Sequence, residues 1–286
     1  MPLRALCYIA TLAMLVAIAR QSRMMADALF PFGRPYGIGE VLDAGFRLYQ
    51  RSVIKCIPYA AAGVLAQQLP SAYLLARGRL LHGHPFADPL WLTLWIIGAL
   101  TAVVMWSAMQ LRQYAIATGQ FTDAAGDLRV ALARLPATIV AAIATGLAIA
   151  LGCVLLIVPG VYFATSLALT GTAVVVEKLG PGASLSRSTQ LVAGNWWRTT
   201  TIFTVALLVV IVFYVLGGLV GVLIAVPLAG SADIVVVVAV TSVVTALIGA
   251  FVAPLIVALV LATYADLTIR RQGRDLAQRI SAVGSS

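Results

Sequence analysis

The chain has 286 residues, of which 62% are hydrophobic and 10% charged, with a formal net charge of +9. A water-soluble domain of this length has no use for so much apolar surface, so the surplus must face lipid. The basic residues lie in short connectors between apolar blocks and build no dense basic face, which argues against nucleic acid and for membrane topology and anionic lipid contact.

Residues 1–23 hold the apolar stretch Leu6 to Ala19 behind Met1-Pro2-Leu3-Arg4. Three readings stand open: a cleaved signal, an extra amino-terminal span, or upstream sequence before a start at Met24 or Met25. Residues 24–271 form the polytopic domain and 272–286 a polar tail. After the punctuated link Phe30 to Tyr36, helical spacing from Ile38 to Arg51 puts Ile38, Val41, Leu42, Gly45, Leu48 and Tyr49 on one face. Glu40, Asp43, Arg47 and Arg51 lie off it, the pattern of an interfacial helix.

Apolar blocks of about 20 residues, the length that crosses roughly 30 Å of hydrocarbon, then mark spans. The first runs from Val53 to Ala76 and carries Gln67, Gln68 and Pro70, whose polar groups need partners away from lipid. A polar loop with His82, His84 and Asp88 leads to the second, Leu90 to Leu111. Phe121 to Leu135 reads as a second amphipathic helix, and Pro136 introduces the third span, Ala137 to Val158. A helix continuing to Val176 would reach about 60 Å, so Pro159-Gly160 is predicted to be a tight turn before a short fourth span, Val161 to Val176. Ala183 to Asn195 is a third amphipathic helix, and spans five and six run from Thr200 to Leu228 and Ile234 to Thr263. The fold class is therefore an all-α integral membrane protein: a six-span helical bundle with three amphipathic interfacial helices.

Counted from Arg20, the two flanks and the even connectors hold six, three, three and four Lys or Arg, sixteen in all, against Arg77 and Arg79 opposite. The positive-inside rule puts the sixteen, and the carboxyl end, in the cytoplasm. The arginine and alanine bias suits a GC-rich bacterial genome, hence a bacterial inner membrane. Three times an amphipathic segment carrying Arg47, Arg134 or Arg187 precedes a pair of spans, which suggests an internal repeat.

Two segments carry a resemblance. Gly33-Arg34-Pro35-Tyr36-Gly37-Ile38-Gly39-Glu40 runs on through Val41-Leu42-Asp43-Ala44-Gly45-Phe46-Arg47-Leu48-Tyr49. Leu156-Ile157-Val158-Pro159-Gly160-Val161-Tyr162 leads to Gly180-Pro181-Gly182-Ala183-Ser184-Leu185-Ser186-Arg187-Ser188 and Gly194-Asn195-Trp196-Trp197. Together they resemble the membrane domain associated with glycerophosphodiester phosphodiesterases, over roughly Phe32 to Arg271. The resemblance implies a six-span protein; the soluble hydrolase barrel of enzyme-linked members has no room here, so their activity is not carried over.

For chemistry, His82, His84 and Asp88 lack the spacing of a strong metal site and read first as a solvated loop. Glu177-Lys178 reads as an interfacial end cap. Asn195 and Arg198 beside two tryptophans, together with Arg47, Arg134 and Arg187, are candidates for an anionic lipid headgroup; plain interfacial anchoring is the blander alternative. No Asp, Glu, Lys, Arg or His lies mid-span, where ion-coupled transport usually needs one, and no nucleophile has a histidine and carboxylate beside it. The sequence thus points to a non-enzymatic, lipid- or partner-organising module without metal, cofactor or nucleic acid. The competing reading is a permease or lipid-handling channel built on Gln67, Gln68 and Pro70.

Overall fold

Long runs of Ala, Leu, Val and Ile without charge have one way to satisfy their backbone groups away from water, which is to bond them within each segment. The computed structural model describes residues 34–77, 86, 88–228 and 234–284, and among them there is helix and no strand. Eight helices follow in order: α1 (Ile38–Ala76), α2 (Pro89–Thr118), α3 (Ala124–Leu155), α4 (Ile157–Leu167), α5 (Thr170–Val175), α6 (Pro181–Val192), α7 (Trp196–Leu228) and α8 (Ile234–Gly284). Five segments are long and apolar enough to cross a membrane: Pro89–Thr118, Ala124–Leu155, Ile157–Val175, Trp196–Pro227 and Val236–Gly273. The protein is a helical membrane bundle. The segment 1–23 and His82 and His84 lie outside the described residues.

Helix α1 is more polar than those five, diluted by Lys55, Gln67, Gln68 and two prolines, yet it lies at the centre. A Cβ placed on Gly98 of α2 would sit 2.5 Å from the Ala66 carbonyl oxygen of α1, and one on Gly63 would meet Met105 and Ala102. The numbering runs down one helix as it runs up the other, so α1 and α2 pack antiparallel. On the other side Gly45 meets the Leu259 backbone and Gly249 meets Val64, which sets α8 antiparallel to α1 as well. Buried Gln113 of α2 ties the three together, its amide donating to Ser52 Oγ (3.0 Å) and the Pro254 carbonyl (2.8 Å).

Three expectations are corrected. The amphipathic segments 38–51 and 121–135 are not separate interfacial helices, since α1 and α3 each run unbroken from the polar segment into the apolar one. The apolar face of 38–51, with Val41, Ala44 and Leu48 fully buried, joins the core against α8 instead of lying on lipid. Continuing a helix also avoids the unpaired backbone groups that a break would create. Only α6 stands as a separate amphipathic helix.

The turn between α3 and α4 is at Leu156, not Pro159-Gly160. Leu156 is extended (φ −167°, ψ 152°), and Pro159 falls in the first turn of α4, where a missing N–H costs nothing. Gly160 is needed for contact: a Cβ on Gly152 would lie 2.9 Å from its backbone, and one on Gly160 would strike Cys153.

The fourth apolar segment is itself broken at Ala168–Leu169, between α4 and α5. Ser188 of α6 repairs the gap, its hydroxyl donating to the Ser166 carbonyl (2.7 Å) and accepting from the Leu169 N–H (3.2 Å). A buried break needs such a partner, because unsatisfied backbone groups are expensive where no water reaches.

Candidate functional site

Polar chemistry in this molecule gathers in two places, one end of the bundle and a central cavity. At the charged end, three clusters each join elements distant in sequence. Arg112, at the end of α2, lies 2.7 Å from Asp127, in the first turn of α3, with Asp127 almost fully buried. Arg112 also donates to the Thr122 carbonyl (2.6 Å) and to Tyr59 Oη (3.2 Å) from α1. Tyr59 in turn donates to Asp127 (3.3 Å).

The second cluster forms where α5 ends. Glu177 accepts both a 3.0 Å contact from the Arg187 guanidinium of α6 and the hydroxyl of Tyr264 of α8. Beside it Lys178 takes a left-handed conformation (φ 56°), and its carbonyl accepts from Arg134 at 2.8 Å.

The third centres on Asp266, which is fully buried in α8. Arg198 (3.2 Å) and Arg270 (2.9 Å) donate to one carboxylate oxygen, and the Tyr36 N–H (2.9 Å) to the other. Both guanidinium groups also hold the Tyr36 carbonyl, at 2.5 and 2.6 Å. The link before α1 is thereby clamped onto α7 and α8. Closer to the start of α1, the Gly37 N–H and then Arg34 hold the Glu40 carboxyl below its ordinary value of 4.5.

The headgroup candidates therefore fall into different settings. Arg187 and Arg198 are bound to buried or half-buried carboxylates. Arg134 and Arg187 meet at the Glu177–Lys178 corner, whereas Arg47 is exposed and paired with Asp43, four residues earlier (2.7 Å). Asn195 precedes α7, where its carbonyl accepts the Thr199 N–H (3.0 Å). Asp88 caps α2 and accepts from Tyr73 (2.9 Å). Among the described residues no group of three metal-ligating side chains comes together.

The second place is a cavity of about 550 Å³ between α1, α2, α3, α5, α7 and α8. Gln67 lines it; Gln68 faces a different groove, between α1 and α8. The wall is mostly apolar and holds no Asp, Glu, Lys or Arg. Gln110 projects there, 4% exposed, with no hydrogen-bond partner for its Oε1. Sequence reasoning missed Gln110 and Asp266. The signal for Asp266 was available, since a carboxylate directly after some thirty apolar residues has to find a cation.

Helices of this length and apolarity, with ion-pair clusters gathered at one end among the described residues, define a polytopic helical membrane protein. Residues 87–267, well over half the chain, match the domain of unknown function DUF7847, and the chain belongs to that family. No curated protein and no solved structure matches it.

Proposed function

We infer that this chain is a non-enzymatic six-span module of a bacterial inner membrane that organises anionic lipid around a basic cytoplasmic end. Packing of α1 between α2 and α8 supports reading its stretch from Val53 to Ala76 as the sixth span. The charge asymmetry supports a cytoplasmic carboxyl end.

The observation that carries the reading is a surplus of cations. Glu40, Asp43, Asp127, Glu177 and Asp266 are each matched by arginine, and Asp123 caps α3. Among the described residues Arg129, Arg134 and Lys178 have no carboxylate partner, and that charge is what the reading assigns to lipid phosphate. Arg187 and Arg198 act as clamps that fix the surface. The resemblance to a phosphodiesterase membrane domain supports the same lipid-facing role, in which a partner protein could also be held.

The test is lipid analysis of purified protein. Arg129→Gln, Arg134→Gln and Lys178→Gln together should lower co-purifying anionic phospholipid, with a melting temperature that falls no further than loss of the exposed Arg134–Lys178 carbonyl bond accounts for, whereas Arg187→Gln should lower it well beyond that. Unchanged lipid retention in the triple variant rejects the reading. A second reading, passage of an uncharged substrate, is favoured by the broken α4–α5 segment, whose Gly171 and Val175 reach the cavity wall. Solute flux in proteoliposomes separates the two.

A further inference from the structure

Buried polar groups in folded proteins nearly always have partners, and an amide left without one costs on the order of 1–3 kcal/mol. The central cavity contains such a group. Of its other polar side chains, Ser107 donates to the Val103 carbonyl (2.8 Å), Thr138 to the Arg134 carbonyl (3.0 Å), and Tyr59 belongs to the Arg112–Asp127 cluster, while Gln67, Trp106 and Tyr214 are exposed. Gln110 Oε1 alone among the buried side-chain polar atoms of this wall lacks a partner, and it faces a space large enough for a ligand.

We propose that the cavity binds an uncharged amphiphile, an alcohol of the monoacylglycerol kind, whose hydroxyl donates to Gln110 Oε1 while its chain lies along the apolar wall. Three features select this chemistry. A charged ligand would be desolvated without a counter-ion, since the wall carries none and the ionic groups bonded to Tyr59, Arg112 and Asp127, already neutralise each other. A pure hydrocarbon would leave the amide unsatisfied. A molecule with one donor and a long apolar body removes both costs. The inference is independent of anionic lipid at the basic end, because the cavity offers that lipid no cation.

Trp106 lines the cavity and supplies a reporter. In full-length protein with Trp91, Trp95, Trp196 and Trp197 changed to Phe, dibromostearoyl glycerol should quench Trp106 saturably. The methyl ester of the same acid, which lacks the donor, should bind about tenfold more weakly, the worth of one hydrogen bond. Gln110→Leu should weaken the glycerol ester about tenfold and leave the methyl ester unchanged. It should also hold or raise the melting temperature, since it removes an unpartnered amide; a purely structural glutamine would lower it. Ala253→Leu, which fills the cavity from α8, should abolish saturable quenching by both. Equal binding of the two esters, or a lower melting temperature in Gln110→Leu with binding intact, overturns the proposal.

Discussion

The charged end and the apolar interior of this bundle are held together by different means. At the charged end, side chains from separate helices reach across to one another, as Asp266 does to Arg198, Arg270 and Tyr36. Deeper in, backbones come into direct contact over glycine, as at Gly98 on Ala66 and Gly152 on Gly160. Where water is near, long charged side chains can be desolvated in pairs; where it is absent, small residues let helices approach and gain dispersion contacts. The two kinds of joint should therefore fail differently.

The largest effect is expected at Asp266. Asp266→Asn leaves two guanidinium groups facing each other without a counter-charge, and should cost about 3 kcal/mol. Thermal unfolding in detergent should show a large fall, which added salt partly restores by screening. Gly98→Leu drives a side chain into the α1 backbone and should cost about 1–3 kcal/mol, with no salt dependence. If Gly98→Leu proves salt-sensitive and Asp266→Asn does not, the contrast between the two joints is wrong. Ser188→Ala strips the brace from the α4–α5 break and should cost about 1–2 kcal/mol, with faster amide exchange at Leu169. The smallest effect is at Glu40. Its carboxyl is stabilised in the folded chain, so its contribution is present above the unfolded carboxyl range and is lost as pH falls through the lowered folded value. Acidification should fray the first turn of α1, measured by amide exchange, and Glu40→Gln should remove that pH dependence.

Much of this was legible in the sequence because run length and hydropathy bear directly on the cost of exposing apolar surface. The long apolar helices fall where the unbroken runs lie. What misled was local punctuation: Pro159 read as a turn, yet proline in a first helical turn is harmless, and Pro136 did not end a helix. The break at Ala168–Leu169 carries no local signature, since the hydroxyl that repairs it comes from Ser188, a different helix. The arginines were visible, but their acids were not, because Arg198 finds Asp266 across 68 positions and Tyr36 across 162.

The bend at Leu156 has a consequence for where the α3–α4 hairpin ends. The Leu156 N–H bonds the Gly152 carbonyl (3.0 Å) and its own carbonyl takes the Gly160 N–H (3.4 Å), so the bend asks little of solvent. No charged, amide or hydroxyl side chain occurs from Gly146 to Val161, and Val154 and Val158 are 84% and 77% exposed. Arg134 to Leu155 rises only ~31 Å, against ~45 Å from Arg198 to Leu228. That shorter rise about equals the ~30 Å hydrocarbon core, so the tip should end at the far boundary of the acyl chains without a loop standing in water. Cys153 should then resist a membrane-impermeant maleimide applied to either face, while a cysteine at exposed Phe86 reacts; labelling of Cys153 would mean that the hairpin surfaces.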